Sequence, residues 1–267
     1  MKRSISVIDI MNKKGKERIV MVTSYDSTMT RIIDASDVDI ILVGDSAGMV
    51  MAGGETTLGI TMDQMIYHTT CVTRAKPRAL VVGDMPFLSY QASVSDAVYN
   101  AGRFLQEAGA HAVKLEGGKR VIEQVKAIVR ADIPVMGHLG LTPQSVNAFG
   151  GYKVQGRGTD AAKLLKENAL ALQDAGVFSM VLECVPATVA KEVSEVLDVP
   201  TIGIGAGPHC DGQVLVIQDL LGMSKEFKPK FVKRYAMLFD TIKEAVDAYA
   251  NEVREGTFPD EDHSFKE

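Results

Sequence analysis

The chain predicts an α/β fold, a single-domain (β/α)8 TIM barrel with a short N-terminal helix and a long C-terminal helix. Three observations carry this reading. Short apolar, β-branched runs alternate with helix-periodic stretches along the whole chain, the pattern of a parallel sheet with helices outside it. Runs such as Ile40-Ile41-Leu42-Val43 are apolar throughout and fit strands covered on both faces. The length, 267 residues, is close to the ~250 such a barrel takes, and no composition shift marks a linker, so one domain is expected over 1–267.

The elements follow in order. Ser6 can cap a short leading helix through Lys14, with Val7, Ile8, Ile10 and Met11 as its apolar residues. Strand one is Ile19 to Thr23, and a helix from Ser27 to Ser36 leads to strand two, which begins at Ile40 and ends at Asp45. Ala47 to Gly59 is rich in glycine and threonine and reads as a long loop. Thr61 to Lys76 is helical until Pro77 stops it, and strand three runs from Ala79 to Asp84. Ser93 to Glu107 places Val94, Ala97, Val98, Ala101, Phe104 and Leu105 at helical spacing, and Gly109 ends it. Strand four is Ala112 to Glu116; after Gly117-Gly118, Lys119 to Arg130 is helical and Pro134 to His138 is strand five. Leu139 to Gly158 is too long and glycine-rich for a simple connection and reads as a lid or binding element. Helix Thr159 to Asp174, strand six from Phe178 to Glu183, helix Ala187 to Leu197, strand seven from Thr201 to Gly205 and strand eight from Gly212 to Ile217 follow. Phe231 to Glu255 is a long amphipathic closing helix, and the polar tail Gly256 to Glu267 is expected to be loosely held.

Composition excludes several classes. The formal net charge is -5 with both signs scattered, there is no Trp, and no basic run is interleaved with aromatics, so no nucleic-acid partner is expected. No window approaches ~18 consecutive apolar residues, so no membrane span is expected. The apolar stretch behind Lys2 and Arg3 is broken by Asp9 before any cleavage pattern, and the chain reads as cytoplasmic. Cys71, Cys184 and Cys210 are odd in number, widely spaced and outside any CxxC pattern, which points to a reducing compartment. His209-Cys210 lacks a second ligand pair at zinc spacing.

The strand ends carry the chemistry. Val43-Gly44-Asp45 and Val82-Gly83-Asp84 repeat one phrase, and the strand ends read in order Asp45, Asp84, Glu116, His138 and Glu183. Lys114 stands two residues before Glu116 and so shares its side of the strand. In a barrel these groups converge on the carboxyl-end face. Clustered carboxylates raise one another's pKa values, and a hard divalent ion with oxygen ligands, magnesium above all, relieves this. Gly203-Ile204-Gly205-Ala206-Gly207 lacks the G-x-G-x-x-G spacing and leads into Pro208, which fits a tight turn rather than a dinucleotide loop. Lys153 and Arg157 either hold an anion or line a solvated loop, and both uses stay open.

Longer motifs are more specific. Leu42-Val43-Gly44-Asp45-Ser46, Val113-Lys114-Leu115-Glu116-Gly117-Gly118, Gly137-His138-Leu139-Gly140-Leu141-Thr142-Pro143-Gln144-Ser145 and the stretch from Phe149 to Gly158 resemble the ketopantoate hydroxymethyltransferase family. Leu182-Glu183-Cys184-Val185-Pro186, Ile202 to Gly207 and His263-Ser264-Phe265 match it too, so the resemblance covers essentially the whole chain. It departs only at framework positions such as Gly83. The resemblance implies a barrel of the phosphoenolpyruvate mutase and isocitrate lyase superfamily and a need for magnesium. It also implies hydroxymethyl transfer from 5,10-methylenetetrahydrofolate to 3-methyl-2-oxobutanoate, giving 2-dehydropantoate for pantothenate and coenzyme A synthesis. By motif, Asp45, Asp84 and Glu116 would be the metal site, Asp45, Ser46, Asp84 and Lys114 the keto-acid site, and Glu183 the proton acceptor. A large homo-oligomer, a decamer, is expected from the same resemblance. His138 is open between orienting a ligand or the one-carbon donor and a structural hydrogen bond.

Two alternatives stand beside this reading. A magnesium-dependent carbon–carbon lyase or mutase on the same scaffold is expected to carry a cysteine in a mobile loop, and Phe149 to Gly158 has none. A non-catalytic keto-acid-binding barrel would not need the full set of acids.

Overall fold

The structure is a computed structural model that describes residues 3–225 and 229–266. Eight parallel strands close into a barrel in sequence order, with the last paired to the first. They are β1 (Ile19–Thr23), β2 (Ile40–Val43), β3 (Leu80–Asp84), β4 (Ala112–Glu116), β5 (Val135–Gly140), β6 (Ser179–Glu183), β7 (Thr201–Ile204) and β8 (Gly212–Leu215). The (β/α)8 barrel expected from the sequence is therefore the fold observed.

Strand periodicity explains where the site lies. Side chains two residues apart share a face, so Val82 and Asp84, Ala112, Lys114 and Glu116, Met136 and His138, and Val181 and Glu183 are each on one face of their strands. The earlier member of each set belongs to the central apolar cluster with Met21, Ile40, Leu42, Leu80, Ile202 and Val214. The later members are charged. Each inward face thus changes from apolar at its amino end to ionisable at its carboxyl end.

The amino end of the barrel is plugged by the leading helix Val7–Asn12. A reciprocal capping box joins Ser6 and Asp9, and Ile10 enters the central cluster with no exposed surface. Lys13 pairs with Asp39 at 2.7 Å and Lys14 with Asp211 at 2.8 Å, which pins the segment to the approaches of β2 and β8.

Several local readings change. Ala47–Val50 is a short helix and Thr57–Gly59 a single 3-10 turn, within what the sequence suggested was a loop. β5 runs on to Gly140, and Pro143–Ser145 and Val146–Phe149 form short helical turns inside the expected lid. Pro143 pre-sets the first of these turns.

The barrel lies within one compact unit, Met1–Val216, and Ile217–Glu267 form a second. In the second unit the closing helix is Leu238–Glu255, not Phe231 to Glu255. The backbone donors of Tyr235, Leu238 and Phe239 go to the carbonyls of Leu220, Leu221 and Gly222, and these bonds compete with a helix there. Gly256 ends the helix in the left-handed conformation, φ 71°. The tail is not loosely held throughout: Thr257 N–H donates to the Glu252 carbonyl at 3.0 Å, and the Phe258 ring meets Tyr249 edge-on at 5.6 Å. Among the described residues no helix is long and apolar enough to cross a membrane.

Candidate active site

The site is built on adjacent strands. Register pairs Asp84 on β3 with Lys114 on β4, Glu116 on β4 with His138 on β5, and Gly140 on β5 with Glu183 on β6. Neighbouring strands are ~4.8 Å apart, so Asp84 meets Lys114 and Glu116 meets His138, while Glu183, level with Gly140, reaches His138. Lys114 Nζ is 2.8 Å from Asp84 Oδ1 and 3.2 Å from His138 Nδ1. His138 Nδ1 is 3.4 Å from Glu116 Oε1, and its Nε2 is 3.3 Å from Glu183 Oε2. Asp45 lies two residues beyond β2, and its backbone N–H donates to Asp84 Oδ2 at 3.0 Å. All but Glu183 are nearly fully buried; the Glu183 side chain keeps 16% exposure, which leaves it reachable.

Ser46 joins the group differently from the acids. Its hydroxyl is 2.8 Å from that of Tyr25 and caps nothing, although it precedes the helix Ala47–Val50.

Burial dominates the electrostatics. It raises Asp84 to about 8, helped by Asp45 and Glu116 and opposed by Lys114. Burial also raises Glu116, against the pull of His138. Burial works against charge on Lys114, but Asp84, Glu116 and Asp45 outweigh it and hold the ammonium above its ordinary value. For His138, burial and Lys114 favour the neutral ring, yet the acids Glu116 and Glu183 prevail and raise it to about 9. With every group ionised, four carboxylates face one ammonium and one imidazolium, leaving two negative charges.

The structure therefore brings together every residue singled out at the strand ends. It does not add Lys153 and Arg157, which are exposed on the glycine-rich loop. That loop is tied to the barrel where Gln155 N–H donates to the Cys184 carbonyl at 2.9 Å. Its Tyr152 hydroxyl meets Met49 Sδ at 3.9 Å. Burial and the carboxylates of Asp45, Glu183 and Glu116 raise the Tyr152 phenol above its ordinary value.

Tyr90 carries no signal in the sequence, and Gln144 stands there only within a family-like motif, with no role of its own. Gln144 is 6% exposed and bonds to Asp45 through its side chain and to Glu116 through its backbone N–H, both at 3.0 Å. The Tyr90 hydroxyl accepts from Glu116 N–H at 3.1 Å and donates to Gln144 Oε1 at 2.8 Å. The available signal was a glutamine directly behind Thr142-Pro143, a turn that follows the histidine strand.

A model of the family "Ketopantoate hydroxymethyltransferase" matches residues 4–261. The chain belongs to that family. It is 57% identical over 266 residues to a 3-methyl-2-oxobutanoate hydroxymethyltransferase of Clostridium botulinum (strain Langeland), covering 100% of this chain and 96% of the relative. It is 58% identical to the protein of the same name from Moorella thermoacetica, covering 97% of this chain and 96% of the relative. Among solved structures it is similar to 2,3-dimethylmalate lyase, a PEP mutase/isocitrate lyase superfamily member, with TM-score 0.62, 14% identity, and coverage of 98% and 90%. Phosphonopyruvate hydrolase in complex with oxalate and magnesium gives TM-score 0.64 and 10% identity, covering 97% and 93%. These two likenesses concern the fold. In this hydroxymethyltransferase-family chain the strand-end residues of the family-like motifs are the ones that meet at the barrel mouth.

Proposed function

We propose that this chain transfers a hydroxymethyl group from 5,10-methylenetetrahydrofolate to 3-methyl-2-oxobutanoate, forming 2-dehydropantoate in the pantoate branch of pantothenate biosynthesis. One observation carries the reading. Over a full-length family match, Asp45, Asp84, Lys114, Glu116, His138 and Glu183 gather at one end of the barrel.

Magnesium fits the donor set. Asp84 Oδ1 and Glu116 Oε1 are buried without a hydrogen bond, Asp84 Oδ1 meeting the Lys114 ammonium as an ion pair alone. Asp45, Asp84 and Glu116 would hold the ion, whose positive charge would offset the excess of negative charge. Among the described residues no three acid, imidazole or thiol side chains enclose an ion by themselves. Magnesium takes one or two carboxylates directly and completes its shell with water and substrate oxygens, so one of the three acids would act through a water. When bound, it supplies Lewis acidity to the keto oxygen, worth several kcal/mol.

The protein groups do the rest. Lys114 and Ser46 would receive the keto-acid carboxylate, and Glu183 would accept the proton from C3, a role worth ~10²–10⁴ in rate. His138 stands against Glu183 and orients it. The electron pair left at C3 forms the new carbon–carbon bond to the methylene carbon of the donor. Both carbon–nitrogen bonds of that carbon break, one water supplies the hydroxyl group, and the C3 proton and the remaining water proton end on the two nitrogens of tetrahydrofolate.

The test incubates the purified chain with magnesium, keto acid and methylenetetrahydrofolate. Equimolar 2-dehydropantoate and tetrahydrofolate are expected. Cleavage of the keto acid without folate would instead favour a lyase, and binding without turnover a binding barrel.

The reading includes a cytoplasmic homo-oligomer, with a decamer expected. Supporting it, helix Leu238–Glu255 buries none of its residues and leaves Phe239, Ile242, Val246 and Val253 exposed, while Cys71, Cys184 and Cys210 are free thiols. A sedimentation mass of one chain would overturn the oligomer.

A further inference from the structure

Gln144 uses its whole hydrogen-bonding capacity inside the site. Nε2 donates to Asp45 Oδ2 at 3.0 Å and to the Met85 carbonyl at 2.9 Å. Oε1 accepts from the Tyr90 hydroxyl at 2.8 Å and from Gln91 Nε2 at 3.0 Å. An amide has two donor hydrogens and two acceptor lone pairs, so all four places are filled. The orientation is also decided, because a carboxylate and a carbonyl can only accept and must face the NH2 end. The backbone N–H of the same residue donates to Glu116 Oε2 at 3.0 Å.

The acids share one pattern. Asp45 Oδ2 and Glu116 Oε2 are held by Gln144, and Asp84 Oδ2 is held by the backbone N–H of Asp45. Glu116 Oε1 is buried with no hydrogen bond and faces His138 Nδ1 at 3.4 Å, and Asp84 Oδ1 meets Lys114 at 2.8 Å. One oxygen of each acid is clamped by a neutral N–H donor, and a second is available to a ligand at Glu116 and Asp84. Neutral donors suit this place, since they hold a carboxylate without cancelling the charge a cation needs.

We propose that Gln144 is a positioning residue that sets the carboxylates of Asp45 and Glu116 for a divalent cation before the cation arrives. This rests on the magnesium reading above. Asp45 and Gln144 are 99 residues apart in sequence, and the amide joins the mouth of β2 to the turn after β5. Tyr90 locks it by holding Gln144 Oε1 and the Glu116 backbone together. Hydrogen-bond partners of metal-ligating carboxylates typically contribute 10–100-fold to metal affinity.

The test uses the full chain with magnesium and saturating 3-methyl-2-oxobutanoate, without folate so that no turnover occurs. Gln144→Met keeps the length and removes the donors. Its magnesium Kd by calorimetry is expected to rise ~10–100-fold. Exchange of the C3 proton should return toward the wild-type rate once magnesium is saturating. Tyr90→Phe, a smaller change, should weaken magnesium in the same direction by less. A folded Gln144→Met chain with wild-type magnesium affinity overturns the proposal. If that variant does not fold, unchanged affinity in Tyr90→Phe overturns it instead. Failure of the wild-type chain to bind magnesium would sink the metal reading, and a wild type that binds no better than the variants sinks this proposal alone.

Discussion

His138 stands between two acids with different tasks: its Nε2 is 3.3 Å from Glu183 Oε2 and its Nδ1 is 3.4 Å from Glu116 Oε1. One imidazole thus links the proposed proton acceptor to the proposed metal site. The link separates the two roles experimentally, because each acid can be altered without touching the other.

Glu183→Gln keeps the side chain's shape and removes the proton acceptor. It should bind magnesium and keto acid as the wild type does while exchange of the C3 proton with solvent deuterium, followed by NMR, falls ~10²–10⁴-fold. Exchange at the wild-type rate would place the base elsewhere, with His138 the next candidate.

Asp84→Ala acts on both binding and stability. It leaves Lys114 buried without its 2.8 Å partner, and unpairing a buried charge costs ~3–5 kcal/mol. The low end is expected, since Glu116 and Asp45 still favour the ammonium. Magnesium-dependent keto-acid binding should be lost together with proton exchange. Calorimetry showing unchanged, chelator-insensitive affinity would contradict this.

Gly140 has φ +92°, and a Cβ there would lie 2.2 Å from the Glu183 carbonyl oxygen and 2.6 Å from Val185 Cγ2. Gly140→Ala should therefore cost ~1–3 kcal/mol and displace the strand that carries the base. Slower C3 exchange at saturating magnesium and keto acid, with a lower urea midpoint, is the expected pair of results. An unchanged exchange rate would show that β6 absorbs the strain.

Asp211 tests the other end of the barrel. Its carboxylate accepts from Lys14 Nζ at 2.8 Å, from Thr201 N–H at 2.9 Å and from Gly15 N–H at 3.2 Å. Burial works against the ionised acid, but these partners win and hold it below its ordinary value of 3.8. A depressed acid stabilises the fold above its unfolded pKa, and that stability is lost as pH falls through the folded value. Asp211→Asn should cost ~2 kcal/mol at pH 7. In urea titrations the gap to the wild type should close as the pH drops beneath 3.8. A gap independent of pH would mean that packing, not charge, holds this corner.

The alternation of strands and helices and the acids at the strand ends were legible in the sequence, whereas closure of the sheet is a property of the folded chain. Apolar runs covered on both faces, broken by glycine and followed by a charged residue, leave little choice in an alternating chain, and a period of two puts Lys114 beside Glu116. Local pattern did not decide the length of the closing helix. The donors of Tyr235, Leu238 and Phe239 go to carbonyls at Leu220, Leu221 and Gly222, a long-range competition that periodicity does not register. Nor did it decide the partners within the site. Lys114 turns to Asp84 and His138 spans Glu116 and Glu183 because barrel closure sets neighbouring strands in one register. The role of Gln144 was not legible for the same reason: a neutral amide carries no chemical signal in sequence. It acquires one only where a buried carboxylate from a distant strand end must be hydrogen-bonded, and tertiary structure alone brings Asp45 to it.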